Sequence, residues 1–227
     1  MAAFESLRLS AVTVALVAGA MHAQGADEPA LRIVHKIIAE ESGLPGEVAR
    51  PVHRLHLTLA LMRGTGWEAE PVLEATTHAT RILAQCGIRA TSIELAEFDG
   101  PDRFRTLFTP VSRQLAGALG LPKPTVFFLA DTRHQPAFDA EAIGRGNSRN
   151  RPEMADTVWI VRGARDLEAV IAHELVHVLA DSGEHSDEPG NLMREDSAPG
   201  ATRLSPEQCE RIVKTGAANG LLQPPRP

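Results

Sequence analysis

His173-Glu174-Leu175-Val176-His177 is the most informative segment of the chain and decides its fold. It lies in a helical pattern that opens at Asp166 and Glu168 and is expected to stop at Gly183. Leu167, Val170, Ile171, Leu175 and Val178 form the apolar stripe, and neither histidine is needed for it. Residues four apart on a helix are neighbours on one face, so His173 and His177 can reach one metal ion. Imidazole binds zinc at about 2.0–2.1 Å, which this spacing allows without distorting the backbone. Glu174 then lies beside the ion, where it can take a proton from water and hand it to a leaving amine. The His and Glu frequencies give about 0.03 chance matches in a chain of this length. The competing reading, two solvated histidines on an amphipathic helix, is correspondingly weak.

A catalytic zinc usually has three protein ligands and an open position. His185 is the nearest candidate for the third, with Asp181 and Asp187 as rivals. Glu195, Glu207 or Glu210 would serve if a later element supplied a carboxylate. Imidazole is the better zinc ligand, which favours His185.

His173 to His177, Gly183, His185 and the segment Gly190-Asn191-Leu192-Met193 together resemble the metzincin zinc metallopeptidases. That family's pattern is His-Glu-x-x-His-x-x-Gly-x-x-His followed by a methionine turn. The closest fit is to a group of secreted bacterial members with an Asn-Leu-Met segment and a short cysteine-bearing helix. Here these are Asn191-Leu192-Met193 and Ser205-Pro206-Glu207-Gln208-Cys209. The resemblance implies zinc held by His173, His177 and His185, Glu174 as general base, and Met193 in the turn beneath the metal. It also implies a zinc-dependent endopeptidase acting on polypeptide, with an irregular edge strand that pairs with extended substrate by strand addition. A non-catalytic zinc module that binds extended chains is the alternative function. The resemblance spans about residues 51–215, and its specific part is residues 173–193. Ala180 stands where the family has its glycine, and His185 comes two residues late. A two-residue insertion at Asp181-Ser182 is expected to lengthen the helix by half a turn. A tyrosine that some members place near the metal has no counterpart, since the chain has no Tyr.

Working outward, strands and helices alternate. His53, Leu55, Leu57, Leu59 and Leu61 alternate with Arg54, His56, Thr58 and Ala60, as in a half-buried strand. A helix is expected over 68–85, a strand over 88–98 and a helix from Phe104 to Gly120. Residues 125–130 and 157–161 are short apolar strands, and 138–147 reads as the irregular edge strand. This order predicts an α/β or α+β fold: a twisted, mostly parallel sheet with an antiparallel edge strand and crossover helices. After Asp181 the chain is rich in Gly and Pro, then ends in a helix with Ser205 as N-cap and Pro206 at its first position. The expected division is a sheet-bearing part over 51–183 and a small irregular C-terminal part over 184–227. His53 and His56 lack metal spacing with a partner and read as structural. Arg145, Arg149 and Arg151 with Asn147 and Asn150 form a polar loop beside the edge strand.

Residues 1–23 read as a secretory signal: Arg8, an uncharged apolar run from Leu9 to Ala20, then small residues. The run is too short to remain as a membrane span. The mature protein is expected to be periplasmic or secreted, with 24–50 a linker or short pro-segment offering a helix around 31–40. In an oxidising compartment the even pair Cys86 and Cys209 is expected to form a disulfide. The 227 residues suffice for a sizeable core. With 29 Asp+Glu against 23 Lys+Arg, net charge -6, the chain lacks the basic surface that nucleic acid requires.

Overall fold

A computed structural model of the protein describes residues 9–11, 29–39, 52–133, 142–145, 152–195 and 200–225. Most of the expected signal, parts of 24–50, and Asn147, Arg149, Asn150 and Arg151 lie outside the described residues.

The leucine alternation forms β3 (His53–Met62), which sits centrally in an eight-stranded sheet. Beside it lie β4 (Ile88–Asp99) and β6 (Thr125–Leu129), both parallel to it, and β9 (Thr157–Val161) continues the parallel run from β6. The short apolar runs at β6 and β9 are buried throughout, as strands covered on both faces must be. At one side β8 (Ala142–Arg145) pairs antiparallel with β9, which makes it the antiparallel edge strand. At the other, β2 (Arg32–Ala39) pairs antiparallel with β4, and β1 (Leu9–Ala11) with β2. The two-residue strand β10 (Leu222–Gln223) adds antiparallel to the start of β3. Two further short strands, β5 (Thr106–Leu107) and β7 (Asp131–Thr132), form a separate parallel pair. The fold is therefore mixed α/β with a mostly parallel sheet.

Two expectations are corrected here. The stretch around 31–40, expected to be helical, is the strand β2: its Ile33 and Ile37 side chains gain more against β4 than a lone helix would retain in water. The strand β3 is buried on both faces rather than one, with Thr58 and Ala60 as inaccessible as Leu57 and Leu59. Helices on both sides of the sheet are the reason. One face packs Leu55, Leu57, Leu59, Val126, Phe128, Val158 and Ile160 under α1 (Ala69–Leu83) and α3 (Leu167–Ala180). The opposite face packs Phe98, Phe127 and Trp159 under α2 (Thr109–Leu119), with the Phe127 and Trp159 rings stacked at 4.1 Å.

The final helix α4 (Pro206–Ala218) starts as its sequence dictates. Ser205 Oγ accepts the Gln208 N–H while the Gln208 side chain accepts the Ser205 N–H, a reciprocal capping box. It lies against α3, and a Cβ on Gly216 would come within 3.0 Å of the Leu222 side chain and 3.4 Å of that of Leu179, so glycine gives this approach its closeness and a larger residue would have to displace them. Cys209 on α4 is bonded to Cys86, just past the end of α1, as expected; the Cα atoms are 4.8 Å apart. Among the described residues no helix is long and apolar enough to cross a membrane.

Candidate metal centre

Between Ile171 and Ala180, α3 is buried at every position but His173, so it is a core helix rather than an amphipathic surface helix. Its low polarity follows from cover on all sides by the sheet, α1, α4 and the segment that follows it. The two histidines therefore interrupt an apolar environment, and burial pushes both imidazoles down, His173 to about 4. The carbonyls that bond them act in the opposite sense and are outweighed.

Those carbonyls fix the chemistry of the rings. His173 Nδ1 donates to the Leu192 carbonyl at 2.8 Å, and His177 Nδ1 donates to the Ser182 carbonyl at 2.7 Å. A carbonyl can only accept, so each neutral ring carries its proton on Nδ1 and leaves a bare lone pair on Nε2. The two Nε2 atoms face one another 3.0 Å apart. Two lone pairs at that distance repel unless a cation lies against both. Ligating nitrogens about 2.0–2.1 Å from one tetrahedral ion stand roughly 3.3 Å apart, close to what the pair shows.

His185 joins them. Its ring centroid is 5.4 Å from that of His173 and 4.9 Å from that of His177, and one nitrogen from each of the three rings lies within 4.8 Å of the others. The three histidines can hold a metal ion. Among the described residues no carboxylate joins this group. Glu207 is instead engaged at its own helix cap, where the Ser205 hydroxyl donates to it at 2.8 Å and holds its carboxyl below the usual range. Asp181, Asp187, Glu195 and Glu210 are all exposed.

The route by which His185 arrives corrects the expected helix end. The helix does not run on to Gly183; it stops at Ala180, and Asp181 adopts the left-handed conformation at φ 47°. The Ser182 N–H bonds the His177 carbonyl at 3.1 Å and the Asp181 N–H bonds that of Val178 at 3.3 Å, a Schellman ending with aspartate in the place usual for glycine. The two extra residues thus lie in the loop, not the helix. That loop is closed by backbone bonds, with the Ser186 N–H on the Met193 carbonyl at 2.7 Å. Arg211 of α4 pairs with Glu184 beside His185. Met193 itself is buried at 2% exposure in the core beneath α3.

Glu174 follows His173 directly and is 8% exposed. A helical step of one residue turns it by about 100°, so it flanks the histidine pair rather than joining it.

The burial of His173 has a measurable consequence for the metal-free protein. Its folded value lies below its unfolded one, so between pH 6.5 and about 4 the unfolded chain binds the proton that the folded chain refuses. Stability is present above this window and lost as pH falls through it. Urea unfolding of chelator-treated protein should show the parent losing about 2 kcal/mol more than His173→Gln between pH 7 and pH 4.5. Equal losses in the two proteins would refute this.

No protein-family model matches the chain, and no curated protein sequence matches it. Among solved structures it is similar to the crystal structure of metalloproteinase-II from Bacteroides fragilis, at 17% identity and a TM-score of 0.46. The match covers 74% of this chain and 55% of that one, so the chain spans about half the length of that protein. At this identity and score the likeness assigns no chemistry to the present residues.

Proposed function

We propose that the protein is a zinc-dependent peptidase of metzincin type, secreted or periplasmic, that cleaves polypeptide chains internally. The observation that carries this is the meeting of three imidazoles from two elements, with bare Nε2 lone pairs on the two helical rings and a buried carboxylate beside them. His173, His177 and His185 would hold zinc, with Met193 in the turn under it. When bound, the ion supplies Lewis acidity, making a water more acidic and a carbonyl more electrophilic. The remaining work belongs to the chain. A carboxylate oxygen of Glu174 takes the proton of the attacking water and delivers it to the nitrogen of the departing amine. The Leu192 and Ser182 carbonyls hold the two rings in the tautomer that leaves Nε2 free. Among the described residues the edge strand β8 pairs only with β9, and its other edge would be where an extended substrate adds.

Among the described residues the group is three imidazoles with no carboxylate, the ligand set of a catalytic site that keeps a position for water. Zinc stoichiometry and digestion of a broad peptide library test the reading directly. Parent and Glu207→Ala should each bind one zinc, and His185→Ala should lose zinc affinity at least 100-fold. Full zinc retention in His185→Ala with loss in Glu207→Ala would move the third ligand to α4 and refute the site.

A further inference from the structure

Asn191 and Gln208 are not among the three histidines, yet their side chains meet next to the segment that carries Leu192 and Met193. Asn191 is 3% exposed and its side chain is fully engaged. Its Nδ2 donates to Gln208 Oε1 at 3.0 Å, and Gln208 Nε2 donates back to Asn191 Oδ1 at 3.2 Å. The same Oδ1 accepts the Met193 N–H at 2.8 Å. That N–H belongs to the peptide unit whose other end is the Leu192 carbonyl, the acceptor for His173 Nδ1. A peptide unit is planar, so fixing its N–H fixes the direction of its carbonyl. The Leu192 N–H is pinned as well, to the Arg203 carbonyl at 2.7 Å.

From these bonds we infer that Gln208, on the final helix, is a positioning residue for His173, acting through Asn191 and the peptide between Leu192 and Met193. The inference rests on the metal reading above. Capping explains only part of what Gln208 does: the cap uses its Oε1 for the Ser205 N–H at 2.7 Å, whereas the paired amides serve Asn191. The relay runs from the helix cap to the Gln208 amide, to the Asn191 amide, to one peptide plane, to the ring. Every member is a directional bond, so loosening any one frees the His173 ring to turn about its own axis. Hydrogen-bond partners behind a metal-binding imidazole govern affinity by 10–100-fold.

The test is zinc affinity of the full chain by competition with a chromogenic chelator. Gln208→Ala and Asn191→Ala should each weaken zinc binding roughly 10–100-fold. The double variant should be no weaker than the weaker single, because both lie on one path. Leu115→Ala, a core truncation in α2 on the opposite face of the sheet, controls for lost stability and should keep parental affinity within about twofold. Gln208 is only half-buried, so its variant remains informative if Asn191→Ala fails to fold. Parental affinity in folded Gln208→Ala, or an equal loss in Leu115→Ala, overturns the proposal while leaving the metal reading intact. A parent that binds no zinc overturns both.

Discussion

Glu174→Gln is expected to bind one zinc per chain, melt within a few degrees of the parent, and hydrolyse peptides at least about 10³-fold more slowly. The substitution keeps the shape of a side chain that is 8% exposed, so packing around α3 is disturbed little. What it removes is the ability to accept a proton. General acid–base catalysis contributes about 10²–10⁴-fold, and in the proposed reaction one group serves both directions, deprotonating water and then protonating the amine. A 10³-fold loss corresponds to about 4 kcal/mol in the barrier. Because Glu174 is beside the histidines and not among the three grouped nitrogens, metal content should not change. Cleavage at the parental rate would refute the peptidase reading, and lost zinc would show that Glu174 is a ligand.

How much of this was legible in the sequence follows the range of the forces involved. The helix α3, its two histidines and the carboxylate between them were legible because spacing along one helix is local. So were β6 and β9, whose unbroken apolar runs state their burial, and the start of α4, written in Ser205 and Pro206. Helical propensity misled at β2, because Ile33 and Ile37 become strand residues only through β4, which is distant in sequence. Alternation misled at β3, since Thr58 and Ala60 look like a solvated face until a helix on the far side covers them. The end of α3 was misplaced because the turn relies on Asp181 in a left-handed conformation, while Gly183 is the residue that signals a stop. His185 was found by its chemistry. Its path was not, because the loop is closed by the Ser182 and Met193 carbonyls, and backbone groups leave no mark in a sequence. The Asn191–Gln208 contact was not read at all, because two amides in separate segments give no hint that they meet.

Opening the Cys86–Cys209 bridge is expected to cost about 5 kcal/mol of stability, because the two cysteines are 123 residues apart and so close a long loop in the unfolded chain. A domain of this size is typically stable by about 5–15 kcal/mol, so a third or more of the total rests on one bond. The effect acts through the unfolded chain, which gains freedom when the loop opens, and leaves the packing of the folded chain largely as it was. Beside Cys86, Gln85 already grips the approach to α4 by donating to the Thr202 carbonyl at 2.8 Å and accepting the Leu204 N–H at 2.9 Å. These bonds persist without the bridge, and the Cys86→Ser, Cys209→Ser double variant should therefore fold to a native-like spectrum at low temperature. Its urea midpoint should fall steeply, and the parent in reductant should fall to match it. Zinc should recover part of the loss by mass action, since an ion bound only by the folded chain stabilises it. An unchanged midpoint in parent protein whose thiols titrate as free would show that the bridge contributes nothing. The helix that the bond ties down is thinly buried: of α4 only Ile212 and Gly216 are buried, whereas Leu192, Met193, Leu221 and Leu222 on either side of it lie in the core. The bond replaces core that this helix lacks, and the proposed location outside the cytoplasm is one where such a bond persists.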